Sequence, residues 1–290
     1  MKVLHVVTAL WETTGGPAES IPSLCSQLSQ LDCNVSIASL NGVNSRNLID
    51  CASEGVGVHL FNPSFQLKVF YSKALKLGLP DLINDSDLVH VHGLWQYPSW
   101  AACSLAKKLD TPYIISPRGN LNPVALKRSK HKKTMSLWLC DKNNLKHANC
   151  LHATSHEEYL AIRRQGLNNP VSIIPNGVTD KSKSQNLSSL FYKYPDLKSK
   201  RVLLFLSRIH PTKGIFELAR AWSEIAQQYP DWHLLMAGPG EAEHVASIKK
   251  NFANNNIRQV TISGALSGED KYSAFSISEV LVLPTQTENF

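Results

Sequence analysis

No two of the six cysteines stand in a C-x-x-C pair, and none lies beyond Cys150 of the 290 residues. That distribution argues against a disulfide-scaffolded secreted domain, and reduced thiols in the cytosol are the simpler reading. Long apolar runs are missing too. No stretch approaches the roughly 18 to 20 uncharged apolar residues that a membrane-spanning helix needs. The chain opens with Lys2 and a short apolar run, but His5 interrupts it and Trp11-Glu12 follow. This reads as a first strand, not a signal peptide, and the sequons at Asn34, Asn84 and Asn186 then carry no information. Charge is sparse at 18%, against 43% hydrophobic residues, which excludes a disordered chain and suffices for a core.

What is present is a repeated alternation of short apolar runs and helix-period segments. Strands are expected at Lys2–Val7, Val35–Leu40, Val58–Phe61, Leu88–His92, Tyr113–Ser116, Leu151–Thr154 and Val171–Ile174. They are β-branched and apolar without strict alternation, as strands buried on both faces of a parallel sheet are. Between them, Ala18–Leu31 places Ile21, Leu24, Cys25, Leu28 and Leu31 on one helical stripe. A polar stretch over Thr179–Lys200 then interrupts the pattern. A second series follows: strands at Val202–Leu206, His233–Ala237, Val260–Ser263 and Val280–Leu283, and an amphipathic helix over Gly214–Gln228. The expected fold class is α/β with two Rossmann-like domains facing a cleft. Residues 1–178 form the first, 179–200 the connection and 201–290 the second. Val280–Leu283 reads as a buried strand with no helix after it, so the second domain is expected to be incomplete and the chain a fragment.

Open α/β sheets bind ligands at the carboxyl ends of their strands, so the loops there matter most. Gly15-Gly16 before a helix starting at Pro17 lets a backbone approach a ligand and points helix amides at it, the design of a phosphate site; it is also an ordinary turn. Arg208 and Lys213 share the strand-to-helix loop Ser207–Gly214, where a guanidinium and an ammonium suit a diphosphate, or stand as solvated cations. Glu288 follows the last strand, as a carboxylate for sugar hydroxyls or as an exposed loop residue. The net charge of +7 favours anionic partners without choosing among them.

These loops, together with His90-Val-His92-Gly93, Ile174-Pro-Asn176-Gly177 and Ala237-Gly238-Pro239-Gly240, resemble the GT-B glycosyltransferases of the large retaining group called family 4. The likeness runs through the whole chain in order. The segment Ser116-Pro117-Arg118-Gly119 is similar to members from bacterial surface-polysaccharide gene sets. The resemblance implies a nucleotide-sugar donor and a glycan or lipid-linked acceptor, with no cofactor and no nucleic acid. It assigns Arg208 and Lys213 to the donor diphosphate, and Gly15, Gly16 and Gly238 to the donor side. Glu288 becomes the first Glu of an E-x7-E motif whose second Glu would lie beyond Phe290, so the chain as it stands is expected to be inactive. Several relatives carry a His where this chain has Arg118. Arg118 stabilises negative charge there but cannot act as a base. His92 is the other candidate, as a catalytic group or as a structural histidine. The alternatives are a nucleotide-sugar-binding protein without activity and another GT-B enzyme such as an epimerase.

Asp85-Ser86-Asp87 has the form of a metal-binding D-x-D, but it precedes the strand Leu88–His92 and belongs at the amino edge. It reads as a strand-entry turn, with no metal. The run Lys127-Arg128-Ser-Lys130-His131-Lys132-Lys133 leads into Met135, Leu137, Trp138 and Leu139. It reads either as a solvated helix face over a buried Trp138 or, across 127–139, as a contact with an anionic membrane surface. Localisation is expected to be cytoplasmic, peripheral to the inner face of the membrane if that contact forms.

Overall fold

The computed structural model describes residues 1–11, 15–42, 46–64, 69–127, 136, 140–178, 187–266 and 268–285. Two compact units divide the chain, Met1–Val178 and Thr179–Glu288.

The first unit is built on a seven-stranded sheet in the order β3-β2-β1-β4-β5-β6-β7, every pair parallel. Its strands are β1 (Lys2–Val7), β2 (Asn34–Leu40), β3 (Gly57–Phe61), β4 (Leu88–His92), β5 (Tyr113–Ser116), β6 (Cys150–Ala153) and β7 (Val171–Ile173). Each lies within a residue or so of the run expected for it. Leu4, Val6, Val89, Val91, Ile115 and Leu151 are buried at 5% exposure or less and form the centre of the core. Each such side chain contributes roughly 1.5–3 kcal/mol by leaving water. The first helix covers Pro17–Gln30 and buries Ile21 and Cys25 against β2 residues Val35 and Ile37. Leu31 departs from the expected stripe: the helix ends before it, and it stands 72% exposed.

The second unit has a four-stranded parallel sheet, β10-β9-β8-β11, from β8 (Arg201–Leu206), β9 (Trp232–Ala237), β10 (Val260–Gly264) and β11 (Ser278–Leu281). The helix Ile215–Ile225 packs Ile215, Leu218 and Trp222 against Phe205, Leu234 and Met236. The expected last strand starts two residues early. It lies on the sheet edge, where Val280 and Leu281 are 45% and 48% exposed, while Val282 and Leu283 turn onto the core. Within the polar stretch expected as a connection, Leu187–Lys193 is a helix and Pro195–Leu197 a single 3₁₀ turn. Leu190 and Leu197 are fully buried with Val202 and Leu204. A sparse apolar set (Leu187, Leu190, Phe191, Tyr194) at helical spacing is enough to dock one short helix, even among serines and lysines.

At the carboxyl edge of this second sheet the loops touch backbone to backbone. Ser207 N–H donates to Ala237 O at 3.1 Å, and Ile209 N–H to Pro239 O at 2.8 Å. A Cβ on Gly238 would lie 1.8 Å from Ser207 O, and one on Gly214, at φ +68°, would lie 2.0 Å from Pro284 O. Gly238→Ala should therefore lower the unfolding free energy by about 2 kcal/mol or more, whereas Gly177→Ala, whose new methyl meets nothing within 4 Å, should stay within about 0.5 kcal/mol. Equal denaturation midpoints for the two variants would contradict this packing.

Candidate functional site

The second unit carries its charged loop where the sequence led us to expect it. After β8 the chain runs through exposed Arg208 to the 3₁₀ turn Pro211–Lys213, then to left-handed Gly214, which caps the helix Ile215–Ile225. His210 Nδ1 accepts from Thr212 N–H at 3.3 Å, which holds the turn. Thr285 Oγ1, just beyond β11, donates to Thr212 O at 3.4 Å. Arg208, half-buried Lys213 and Gly238 are thus gathered by three loops at one sheet edge. Glu288 lies outside the described residues, as do residues 128–133 of the basic run. Lys127 ends a short helix, Pro123–Lys127.

In the first unit, Gly15 has φ +80° and Gly16 heads the helix Pro17–Gln30 without a side-chain cap. A Cβ on either glycine would meet nothing within 4 Å, so the backbone there is open to close approach. Asp85 and Asp87 sit at the opposite, amino edge. Asp85 pairs with Lys2 Nζ at 2.5 Å, and Asp87 accepts from Lys2 N–H at 2.7 Å. Both carboxylates are used as strand-entry anchors.

Parallel register brings together a set of polar residues that are far apart in the chain. His5 pairs with His90 across β1 and β4, and His92 with Ser116 across β4 and β5. His152 of β6 completes a polar line across four neighbouring strands. His5 Nδ1 and His92 Nε2 are 2.9 Å apart, and Arg118 Nη2 reaches His92 Nδ1 at 3.2 Å. Ser116 Oγ lies 2.7 Å from both His90 Nε2 and His152 Nδ1, and His152 Nε2 is 2.8 Å from Ile174 O. Of this line the sequence marks His5 as a break in the first apolar run, His90 and His92 as a motif, and Ser116 in the segment with Arg118. His152 was missed, although a histidine breaking the apolar run Leu151–Thr154 was an available signal.

The two ends of this line determine its protons. A guanidinium only donates, so His92 Nδ1 is a bare acceptor, His92 Nε2–H donates to His5 Nδ1, and the proton of His5 rests on Nε2. A carbonyl only accepts, so His152 carries its proton on Nε2 and receives the Ser116 hydroxyl proton on Nδ1. Ser116 must then accept from His90 Nε2–H. Every histidine is neutral in this scheme. Burial, with the Arg118 charge adding to it, pushes His5 down to about 3. Burial first, then the neighbouring histidines and Arg118, hold His90 and His92 well below the ordinary imidazole value. Burial also lowers His152. Both nitrogens of His92 are occupied, which is the arrangement of the structural alternative; a general base would need the lone pair that Arg118 takes up.

His5, His90 and His92 bring ligand atoms within 4.8 Å of one another, the spacing of a metal cluster. Two of these nitrogens lie 2.9 Å apart and a guanidinium stands 3.2 Å from His92, contacts that a cation bound there would have to displace.

Arg118 itself sits at φ +54°, followed by Gly119 at φ +75°. A left-handed conformation costs a non-glycine residue roughly 1–2 kcal/mol, and strain of this kind gathers at functional sites. Surrounding bonds offset it. Glu158, 4% exposed, accepts from Gly119 N–H at 2.6 Å and from Thr154 N–H and Oγ1 at 2.7 and 2.8 Å. Asn120 Oδ1 accepts from Leu94 N–H at 2.8 Å, which ties the loop after β5 to the loop after β4.

Two parallel, doubly wound sheets with ligand-type loops at their carboxyl edges place the protein in the GT-B class of paired Rossmann-like domains. Residues 15–177 match the family model described as "Glycosyl transferase 4-like domain", and residues 191–290 the one described as "Glycosyl transferases group 1". The chain belongs to this glycosyltransferase family. An uncharacterized glycosyltransferase of Haemophilus influenzae is 26% identical over 157 residues, which is 54% of this chain and 38% of that protein's own length. Anabaena HepE, solved with UDP and glucose, superposes with a TM-score of 0.77 at 14% identity over 100% of this chain and 76% of HepE. Sucrose-phosphate synthase from Thermosynechococcus elongatus superposes at 0.65 with 16% identity, over 100% of this chain and 77% of that one. Among the described residues, no helix is long and apolar enough to cross a membrane.

The neutral histidines generate a pH dependence. In the unfolded chain an imidazole takes a proton near 6.5, whereas folded His5 does so only near 3. Its contribution is therefore complete above about pH 6.5 and is lost as pH falls toward 3, at about 1.4 kcal/mol per pH unit. Urea unfolding should show stability falling by at least the about 2–3 kcal/mol due to His5 alone between about pH 6.5 and about pH 4.5, with His90 and His92 adding in the same direction. A midpoint that does not move across this window would contradict the neutral assignment.

Proposed function

We propose that the protein is a glycosyltransferase that moves a sugar from a nucleotide-sugar donor to a glycan or lipid-linked acceptor, with retention at the anomeric carbon. The observation that carries this reading is the Ser207–Gly214 loop, which holds Arg208 and Lys213 together at the carboxyl edge of the second sheet. Family membership and the UDP-bound fold neighbour support a nucleoside diphosphate, UDP first, as the leaving group. Arg208 and Lys213 bind that diphosphate and offset its charge as it departs, so the reading needs no metal. Gly238, packed against Ser207, keeps the loop close to the phosphates. Gly15 and Gly16 offer backbone amides, and Glu288 contacts the donor. The first unit takes the acceptor side, with Arg118 as its charged group and His92 positioning it. In this reading no side chain acts as a covalent nucleophile; the departing diphosphate itself accepts the acceptor's proton on the face where the new bond forms. The basic segment 127–139 brings the enzyme to an anionic membrane surface carrying a lipid-linked acceptor.

Made in the full reading frame, Arg208→Ala and Lys213→Ala should each reduce turnover of a UDP-sugar about a hundredfold or more while leaving the melting temperature unchanged. Near-normal turnover in either variant would remove the loop from the chemistry. Neutralising Lys127, Lys130, Lys132 and Lys133 together should release the protein from anionic liposomes in a sedimentation assay, at roughly 1 kcal/mol per charge. Unchanged sedimentation would leave the segment as a solvated face.

A further inference from the structure

Arg118 is a cation whose direct hydrogen-bond partners are neutral, and its bonding is unfinished. A guanidinium offers five N–H donors. One Nη1 donor goes to Asn176 Oδ1 and one Nη2 donor to His92 Nδ1. The Nε–H is buried with no partner. Both acceptors are uncharged, and no carboxylate among the described residues pairs with the guanidinium. The Glu158 carboxylate acts on Arg118 through its charge, but its oxygens are bonded to Gly119 N–H, Thr154 N–H and the Thr154 hydroxyl. The histidines behind Arg118 are in their neutral forms. The result is a half-buried positive charge at the carboxyl edge of the first sheet, with donor capacity left over and its fork held from two sides. Surface Arg201, by contrast, meets a carboxylate, Glu279, with Nε and Nη2.

We propose that Arg118, held by His92 and Asn176, is an oxyanion-binding site of the first unit, and that the oxyanion is a phosphate or carboxylate carried by the acceptor. This rests on the glycosyltransferase reading and narrows it: the acceptor is an anionic one, a sugar phosphate, a lipid-linked phosphate or an acidic glycan. An oxyanion suits the place because the planar fork keeps one hydrogen on each Nη beyond those given to Asn176 and His92, and such a pair matches two oxygens at once. An ordinary sugar hydroxyl would leave the charge unmet.

The test uses the whole chain and inorganic phosphate as probe. Phosphate should bind the unaltered protein and an Arg208→Gln/Lys213→Gln double variant with dissociation constants within about twofold of each other. Arg118→Gln should weaken it at least about tenfold, and Arg118→Lys, which keeps the charge but loses the fork, should fall between. In the unaltered protein, phosphate should shift the Arg118 Nε–H resonance, a readout that requires no variant to fold. Saturating UDP should leave this phosphate in place. Three results would overturn the proposal: undiminished binding in Arg118→Gln, an unmoved Nε–H resonance, or displacement of the phosphate by UDP, which would assign the oxyanion to the donor. The outcome is separable from the donor site. If UDP fails to bind, the glycosyltransferase reading is at fault. If UDP binds and phosphate ignores Arg118, only the present inference fails.

Discussion

Parallel pairing is the constraint on which the rest of the structure depends. Once every strand of a sheet runs the same way, all its carboxyl ends, and every loop that follows them, lie on one edge. In the second unit this brings the loops after β8, β9 and β11 into backbone contact, with Gly214 and Gly238 at the two tightest points. In the first unit it brings the loops after β1, β4 and β5 together, with Gly15, Gly93 and Arg118 in left-handed conformations along that edge. Neither collection of residues is contiguous in sequence. Direction alone assembles them.

The same pairing explains how a sheet interior can hold several histidines. Buried imidazoles are costly unless their nitrogens are matched. Here matching propagates along two short chains, one from Arg118 through His92 to His5, the other from Ile174 O through His152 and Ser116 to His90. Each chain has one end whose polarity is fixed by chemistry, a donor guanidinium or an acceptor carbonyl, and that end sets every proton behind it. The cost is concentrated at His5 Nε2, which is buried without a hydrogen-bond partner. The benefit falls on Arg118, whose position is fixed by a neutral acceptor that neither quenches its charge nor competes for an anion.

Much of this was legible in the sequence, for physical reasons. Strands buried on both faces are apolar throughout, so their positions could be read within a residue or so. The pairing of Arg208 with Lys213 was legible because both lie on one loop, where sequence spacing is spatial spacing. The partners of Arg118 were not, because they meet through register, and register between strands that are distant in sequence leaves no local signature. Leu190 and Leu197 were hidden for another reason: two or three apolar residues in a polar stretch give too weak a periodicity to distinguish a docked helix from a connection. The exposure of Val280 and Leu281 reflects the position of β11 at the sheet edge, which strand composition does not reveal.

The central physical claim is that a neutral, proton-ordered histidine line holds a cation with no carboxylate bonded to it at the carboxyl edge of the first unit. Long-range proton–nitrogen NMR of the ¹⁵N-histidine-labelled chain at neutral pH tests it most directly. The account predicts the Nε2–H tautomer for His5, His90, His92 and His152, with the Nδ1 nitrogens unprotonated and that of His92 shifted by the Arg118 hydrogen bond. An imidazolium at any of these positions, or a proton on His92 Nδ1, would contradict it.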